Sequence, residues 1–386
     1  MTWEATSAFV ELGLTFYAVL AVWHAVRWGR AADLRPALWA GLFVGAAAGT
    51  KYLGLLVLAI VLGGVALVSL CRRRPADIAA AALAALAAGG WWYLKNLLVT
   101  GNPVYPLVFG GKWLTPYANA AIHNGLSAYG VGGGIARLVI LPVDLLVHGG
   151  AFDRGRYVGT AIFLCGAIAL WTRRTSLTAV LLGGVFLYIV AWHAQSPQAR
   201  FLLPALAVLA AVGGAGVEPL LQAGGARRLV LLAVLGGSAA VWLGASGALT
   251  RQLLPPALGL QSRSAALQKL TGTYDAFLAA RRRAGPGTVG LVDYRFSFNF
   301  PGRALSLDVP EFTPLLPRSV YLARLRSLGV RALLVGGYDA VPPELGPIRP
   351  CLKRTAVYHA RFVTSRSLGR STPFDLVLYR LVGCRG

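Results

Sequence analysis

The chain has 386 residues, of which 56% are hydrophobic and only 13% are charged. This composition excludes a soluble globular protein of this length and indicates a polytopic α-helical membrane protein. The net charge of +23 does not indicate nucleic-acid binding, because the basic residues form short clusters between apolar runs and in the C-terminal region, without a basic helix or an RNA-binding signature. Membrane topology explains these clusters better.

Long apolar runs with few charges predict about eight membrane-spanning helices within residues 1–250. Arginine clusters, of which Arg72–Arg74 is the clearest, follow every second run. Because cytoplasmic loops are enriched in Lys and Arg, these ends are predicted to be cytoplasmic, and the loops around Lys51, 95–156 and 194–200 to face outward. The predicted spans are 5–26, 37–50, 54–71, 77–94, 157–172, 176–193, 201–222 and 228–249.

The first predicted span carries Glu11 near its outer end, and Glu4 lies just before the span. They lie two turns apart on nearly the same side of a helix. Either acid is a candidate general base, metal ligand or ion-pair partner for Lys51, and the alternative is a structural ion pair between neighbouring helices.

Lys51 interrupts two apolar runs in the sequence Gly49-Thr50-Lys51-Tyr52. The run before it has about fourteen residues, or roughly 21 Å of helix, against about 30 Å of hydrocarbon. This predicts a broken hairpin with Lys51 below the outer surface. An ionisable group at that depth is a functional candidate with a phosphate as its expected partner, whereas the alternative is a lysine that reaches the interface from a short loop.

The segment from Trp91 to Pro106 marks the place where an apolar run becomes a polar, aromatic, turn-rich loop. Aromatic rings favour the membrane–water boundary, and Gly101-Asn102-Pro103 ends the helix there. Lys95 and Asn96 are placed to reach a phosphate or a sugar hydroxyl. Further along the outer segment, residues 135–148 are predicted to form an amphipathic helix on the membrane surface.

The loop from His193 to Arg200 carries a histidine, two glutamines and an arginine between two spans. Arg200 is either a bidentate phosphate ligand or an interfacial anchor.

The histidines show no metal-ligand spacing, and the HExxH, CxxC pair, Walker and GxSxG motifs are missing, so a zinc-protease type of site is not expected. No cofactor is predicted, and a divalent metal ion stays open.

From about residue 250 the apolar runs shorten, which predicts a separate domain at 251–386. Alternating patterns favour a small α/β unit outside the cytoplasm. Cys351 and Cys384 are a candidate disulfide there, whereas Cys71 and Cys165 lie in spans and are expected in the core. The predicted helices are Gln261–Ala284 and Ser319–Leu328, and the predicted strands are Thr288–Tyr294, Arg331–Val335, Thr355–His359 and Asp375–Leu381.

Three passages together resemble bacterial membrane glycosyltransferases of the GT-C class, the group allied to protein O-mannosyltransferases and aminoarabinose transferases. They are Trp92–Asn96 with Thr100–Pro106, Gly49–Tyr52, and Arg200–Pro204. The resemblance covers about residues 1–250, and the C-terminal region is similar to the variable extracytoplasmic domain of many such enzymes. It implies a multi-pass protein of the bacterial inner (plasma) membrane, active in the cell envelope, that passes a sugar from a polyprenyl-phosphate donor to a glycan, lipid or protein acceptor at the outer face.

The resemblance also implies which residues bind the donor, but it leaves the catalytic acid unassigned. In the family that acid lies in the first outer loop, and this chain begins near the family's third or fourth helix, without a basic leader before Glu4. A truncated gene product or a relative without turnover is therefore expected. The implied residues for the lipid phosphate and sugar are Lys51, Tyr52, Tyr93, Lys95, Asn96, Asn102, Tyr105, His193 and Arg200.

Two other classes of protein remain as alternatives. A transporter or flippase for a lipid-linked sugar would use a similar broken hairpin, but it should show internal repeats, and the sequence contains no convincing one. A noncatalytic membrane scaffold would not need the polar residues at the outer edge.

Overall fold

The chain divides into two compact units, residues 1–250 and 251–386, at the place where the composition changes. The first unit is a bundle of helices, and the second contains a five-stranded sheet flanked by helices. A computed structural model describes residues 10–30, 33–111, 129–132, 134–153, 158–159, 161–292, 299–307, 312, 316–336, 343–363 and 371–382.

The apolar runs of the first unit form helices that end at the charged or turn-forming residues between them. Proline stands in the first turn of several of these helices, where its missing N–H is not needed. In the described part of the first unit, three short 3-10 helices, Ile135–Ile140, Gly149–Phe152 and Ala199–Leu202, lie between the longer elements. Among the residues that the structure describes, the α-helices are α1 (Glu11–Arg30), α2 (Arg35–Thr50), α3 (Gly54–Cys71), α4 (Pro75–Thr100), α5 (Leu141–Val147), α6 (Ala161–Thr172), α7 (Ser176–Gln195), α8 (Leu203–Gln222) and α9 (Gly225–Ala257).

Five helices in the described part of the chain are long and apolar enough to cross a membrane, which indicates a membrane protein. Each of the eight predicted spans overlaps a described helix. However, α1 carries Glu11 at its start and two arginines in its last turn, and α2 and α6 have only 16 and 12 residues. The count of eight spans therefore stays a prediction. The five are α3, α4, α7, residues 199–222 and residues 225–244.

Helices α2 and α4 pack closely through glycines spaced four residues apart. A Cβ atom on Gly41 would lie 2.1 Å from the carbonyl oxygen of Ala81, and one on Gly45 would lie 2.2 Å from that of Ala85. On α4, a Cβ on Gly89 would lie 2.2 Å from the carbonyl oxygen of Gly45. Small residues at this spacing let two helix backbones approach each other. The contact holds the end of α2, where Lys51 follows, beside the aromatic end of α4.

Gly45→Ala is expected to push α2 and α4 apart and to lower the free energy of unfolding by about 1–3 kcal/mol. The matched control is Gly63→Ala on α3, where an added Cβ meets no atom within 4 Å. The control should be neutral or more stable, since alanine favours helix over glycine by up to about 1 kcal/mol. Unfolding of the purified protein in detergent, followed by tryptophan fluorescence, measures both. Equal stability of the two variants would contradict the close packing.

The second unit is built on a mixed sheet with strand order β2-β1-β3-β5-β4. Strand β1 is parallel to β2 and β3, and β5 is antiparallel to β3 and β4. Successive residues of β3 point to opposite faces of the sheet. Leu334 packs with Phe277 of the helix Tyr274–Ala284, whereas Leu333 packs with Tyr321 of the helix Arg318–Ser327. The elements are α10 (Arg263–Leu270), α11 (Tyr274–Ala284), β1 (Thr288–Val292), β2 (Ala304–Ser306), α12 (Arg318–Ser327), β3 (Val330–Gly336), a 3-10 helix (Pro343–Cys351), β4 (Leu352–Val363) and β5 (Ser371–Leu381).

The second unit differs from the sequence predictions in one helix and in its strands, of which β2 was not predicted. The single helix predicted at Gln261–Ala284 is interrupted at Thr271, whose φ of −124° and ψ of 116° are those of an extended residue. The sequence Thr271-Gly272-Thr273 explains the break, because glycine and β-branched residues disfavour helix. Strands β4 and β5 are also longer than predicted, since pairing along their whole length extends them beyond their apolar centres.

The cysteines fall into two groups. Cys351 is disulfide-bonded, and Cys384 lies outside the described residues, so their pairing stays a prediction. Cys71 and Cys165 are free, but only Cys165 is buried. The prediction of Cys71 as a core residue is wrong, because apolar residues of a membrane helix also face lipid and hydropathy does not separate the two cases.

Candidate functional site

Three residues that the sequence singled out separately come together in the first unit. Lys51 Nζ lies 2.5 Å from Glu11 Oε1, and Arg200 Nε lies 3.7 Å from the same oxygen. The Glu11 side chain is only 1% exposed, against 27% for Lys51 and 21% for Arg200. The ion pair between Glu11 and Lys51 is therefore present. Glu4, the other acid predicted here, lies outside the described residues.

The break between α2 and α3 brings Lys51 to this place. Helix α2 ends at Thr50, and Lys51 is extended, with φ −160° and ψ 147°. Helix α3 starts at Gly54, where a Cβ would lie 2.1 Å from the carbonyl oxygen of Ala47, so a side chain does not fit there without a shift. Lys51 Nζ and Arg200 Cζ lie 4.0 Å and 5.1 Å from the ring centroid of Phe201, which therefore carries both cations on its face.

Asp153 completes the group, although the sequence did not select it. Its Oδ2 lies 3.6 Å from Arg200 Nε, and its side chain is 10% exposed. The residue has a left-handed backbone, with φ 52° and ψ 66°, directly after the 3-10 helix that ends at Phe152. Phe152 is fully buried and stacks on Trp192 at 6.1 Å between centroids, which anchors the turn. Glu11, Lys51, Asp153 and Arg200 are called the Glu11 cluster below.

Gln198 also belongs to this region and was not predicted. Its Oε1 accepts a hydrogen bond of 2.7 Å from Arg200 Nη2, and its main-chain oxygen accepts one of 2.8 Å from Trp192 Nε1. The side chain is buried. Arg200 is thus oriented by Gln198 on its own loop and by the two carboxylates of the Glu11 cluster.

An apolar cavity of about 600 Å³ opens beside Arg200 and Asp153. Its walls come from α6, α8 and α9, and it is called the α8 cavity below. The residues of α8 that line it, from Leu203 through Leu206 and Ala210 to Val217, form one face of the helix over about 20 Å. Its volume is in the range of ligand pockets, about 300–1,000 Å³. A cavity with apolar walls and charged residues at one end suits an amphiphilic ligand.

The aromatic edge forms a hydrogen-bonded network that holds the turn containing Lys51. Tyr52 Oη donates to the carbonyl oxygen of Tyr105, and Asn96 Nδ2 donates to Tyr52 Oη at 2.8 Å. Tyr93 Oη donates to the carbonyl oxygen of Ala48 at 2.6 Å. These side chains join the break after α2 to the end of α4 and to the loop that follows. Their contacts with a sugar or lipid head stay a prediction, and their hydrogen bonds hold the residues on either side of Lys51.

Asn102 has a structural role in the loop after α4. The side chain is fully buried, and its Nδ2 donates to the carbonyl oxygens of Leu107 and Gly110 at 2.8 and 2.5 Å. Its Oδ1 accepts a hydrogen bond of 2.9 Å from the main-chain N–H of Val104. The amide is therefore occupied by its own loop, and its predicted contact with substrate is untested.

Lys95 and His193 have other observed contacts. Lys95 Nζ lies 3.8 Å from the centroid of the Trp92 ring. His193 Nε2 lies 3.2 Å from the carbonyl oxygen of Gly134. Of the predicted binding residues in the described part of the chain, the observed contacts place only Lys51 and Arg200 at Glu11.

No protein-family model, curated protein or solved structure gives a significant match to this chain. In the part of the chain that the structure describes, no group of three or more His, Cys, Asp or Glu residues is placed to hold a metal ion. The functional proposal therefore rests on the geometry and chemistry of the Glu11 cluster and the α8 cavity.

The outer segment carries a second buried carboxylate, Asp144 of α5. The amphipathic helix predicted at 135–148 is divided there into a 3-10 helix, Ile135–Ile140, and α5. Arg137 donates to both Asp144 oxygens, from Nε at 2.9 Å and from Nη2 at 3.0 Å, and His148 Nδ1 lies 3.1 Å from Oδ1. The hydrogen bonds from Arg137 hold the pKa of Asp144 below its usual value, although burial acts in the opposite direction.

This pair is expected to make the segment sensitive to acid. Because the pKa of Asp144 is lower in the folded than in the unfolded chain, its contribution to stability is present above the unfolded value, about 3.9, and is lost as the pH falls through the folded value. Hydrogen exchange of residues 134–153, corrected for the intrinsic rate, should show protection that declines below about pH 4. Asp144→Asn should abolish that pH step, and a step that persists in this variant would contradict the assignment.

Proposed function

We propose that this chain is a membrane glycosyltransferase that passes a sugar from a polyprenyl-phosphate donor to a glycan, lipid or protein acceptor at the outer face of a bacterial inner membrane. The observation that carries the proposal is that Arg200 lines one end of the α8 cavity and that Lys51 lies at the same Glu11 oxygen as Arg200. A polyprenyl-phosphate sugar has the matching layout, since a long apolar chain ends in an anionic phosphate. The resemblance of the sequence to GT-C enzymes supports the same function.

In this proposal Lys51 and Arg200 bind the donor phosphate. The guanidinium fork of Arg200 matches two phosphate oxygens, and Lys51 supplies a compact positive charge. When the glycosidic bond breaks, the leaving phosphate gains negative charge, which prearranged cations stabilise. Glu11 is too deeply buried to meet an acceptor, and its 2.5 Å contact with Lys51 instead fixes the position of that ammonium group.

Asp153 is the carboxylate best placed to act as the base. It lines the α8 cavity, in which the acceptor would meet the donor sugar, and its Oδ2 lies 3.6 Å from Arg200 Nε. The acceptor hydroxyl gives its proton to Asp153 as its oxygen bonds to the anomeric carbon. The bond from that carbon to the phosphate oxygen breaks with its electron pair, so the polyprenyl phosphate leaves and the configuration inverts.

Mass spectrometry of lipid-linked sugars from the native host tests this function. Cells that lack the chain should accumulate one polyprenyl-phosphate sugar, which also identifies the donor, and a wild-type copy should remove it. The double variant Lys51→Ala/Arg200→Ala should fail to do so, whereas Arg173→Ala/Arg174→Ala, which removes two exposed positive charges after α6, serves as the matched control and should succeed.

An unchanged pool of lipid-linked sugars in the deleted strain, with unchanged surface glycans, would contradict the proposal. If purified protein in vesicles moved the labelled donor across the bilayer without transferring its sugar, the transporter alternative would replace it.

A further inference from the structure

A second apolar cavity, of about 520 Å³, lies between α1, α3, α7 and the start of α8. It is called the α3 cavity here. Arg30, Arg72 and Ser176 line one part of it, and Val57 and Tyr188 line another. The stretch from Val57 on α3 to Arg72, which directly follows this helix, is about 22 Å long, more than half of the roughly 30 Å of hydrocarbon in a bilayer.

The basic end of the α3 cavity lies at the opposite end of these helices from the Glu11 cluster. Glu11 opens α1 and pairs with Lys51, just before α3. At the other ends of the same two helices, Arg72 Nη2 donates to the carbonyl oxygen of Gly29 at 2.5 Å. Helices α1 and α3 therefore run side by side in the same direction, and the α3 cavity presents its arginines away from the proposed donor phosphate.

The arginines at this end of the cavity are placed to bind an anionic group. The nearby carboxylate, Asp77, accepts a hydrogen bond of 3.0 Å from Trp28 Nε1 and forms an ion pair of 3.1 Å with Arg74. Arg72 stacks its guanidinium over the Trp28 ring at 5.7 Å. Within the described ranges, neither Arg30 nor Arg72 forms an ion pair with an acidic residue. Two guanidinium groups beside an apolar cavity complement an anionic head that carries an apolar chain.

The wall of the cavity leaves room for such a chain at Gly64. A Cβ atom added to Gly64 would meet no atom within 4 Å, although this residue lines the cavity. Across the cavity on α7, a Cβ on Gly184 would lie 3.3 Å from Ile60, so the two helices touch there. The free space is therefore on the Gly64 side of α3.

We propose that the α3 cavity binds an anionic phospholipid, with its phosphate at Arg30 and Arg72 and an acyl chain along α3 past Gly64. The basic clusters of the sequence predict that this end of the bundle is cytoplasmic, and anionic phospholipids carry the negative charge of that leaflet. The site is separate from the α8 cavity and does not depend on sugar transfer.

Native mass spectrometry of the purified full-length chain, titrated in detergent with phosphatidylglycerol or with phosphatidylcholine of the same acyl chains, tests this site. The wild type should retain phosphatidylglycerol preferentially. Arg30→Ala should weaken its retention about fivefold, and Arg30→Ala/Arg72→Ala should remove the preference. Arg30→Ala alone keeps the test valid if loss of the contact between Arg72 and Gly29 unfolds the double variant.

Two phenylalanine variants of α3 give a matched comparison. Gly64→Phe should fill the cavity and lose the lipid. Gly63→Phe should retain it, because Gly63 does not line the cavity and a Cβ there also meets no atom within 4 Å. Equal retention of phosphatidylglycerol by these two variants would overturn the proposal. Equal retention of phosphatidylglycerol and phosphatidylcholine by the wild type would also overturn it, since the lipid would then bind without regard to charge.

Discussion

Asp153→Asn is expected to slow sugar transfer by about 10²–10⁴-fold while the donor still binds. The amide has nearly the same size as the carboxylate, but it does not accept the proton of the acceptor hydroxyl. Because Arg200 also contacts Glu11 and Gln198, its guanidinium should stay in place. Transfer from the donor that accumulates in deleted cells gives the rate, and native mass spectrometry of the same protein gives donor binding.

The control for this variant is Asp33→Asn, the same chemical change at an exposed turn before α2, where Asp33 Oδ1 accepts a hydrogen bond from the main-chain N–H of Arg35. It should transfer sugar at the wild-type rate. A wild-type rate in Asp153→Asn would remove Asp153 from the reaction, and another carboxylate would then have to supply the base.

Glu11→Ala is expected to lower the free energy of unfolding by about 3 kcal/mol, because removal of one partner leaves the other charges of a buried group uncompensated. The Glu11 side chain is 1% exposed and lies 2.5 Å from Lys51 and 3.7 Å from Arg200. Exposure of Lys51 to solvent keeps the effect at the lower end of the range for fully buried pairs. Denaturant unfolding in detergent measures it.

Glu218→Ala provides the matched control for this change. Glu218 pairs with Arg173 at 2.9 Å, but both side chains are about half exposed, so its loss should cost only about 0–1 kcal/mol. Replacement of both members of the buried pair, Glu11→Leu with Lys51→Met, should recover much of the lost stability. Equal losses in the free energy of unfolding for Glu11→Ala and Glu218→Ala would show that burial does not increase the cost of breaking the ion pair.

The sequence identified Glu11, Lys51 and Arg200 because a charge in or beside an apolar run is conspicuous. It did not identify Asp153, since an acid in a long polar segment looks like an ordinary solvated residue. Gln198 was missed because a glutamine in a loop carries no recognisable signal. Residues 11, 51, 153 and 200 are far apart in the chain, and only helix packing sets their distances.

The positions of the helices in the chain could be predicted from hydropathy, whereas the pairs of helices that pack together could not. The glycines at 41, 45 and 49 are visible in the sequence, but their contact with α4 depends on which helix lies beside them. The amide of Asn102 is a group that suits sugar binding, yet it forms hydrogen bonds with the main chain of its own loop. In the second unit, sequence patterns indicated four of the five described strands, all except β2, but the order β2-β1-β3-β5-β4 depends on pairing between distant segments.

A photoactivatable polyprenyl phosphate, with a diazirine in its isoprenoid chain, tests most directly whether the α8 cavity holds a lipid phosphate. We predict labelling of peptides that contain Leu206 and Ala210 of α8 and Leu235 of α9, all of which line the cavity. Unlabelled polyprenyl phosphate should compete, the polyprenol without phosphate should not, and Arg200→Ala should reduce labelling at least about tenfold. Labelling outside these helices, or labelling that is the same for the alcohol and in Arg200→Ala, would contradict a lipid-phosphate site at the Glu11 cluster.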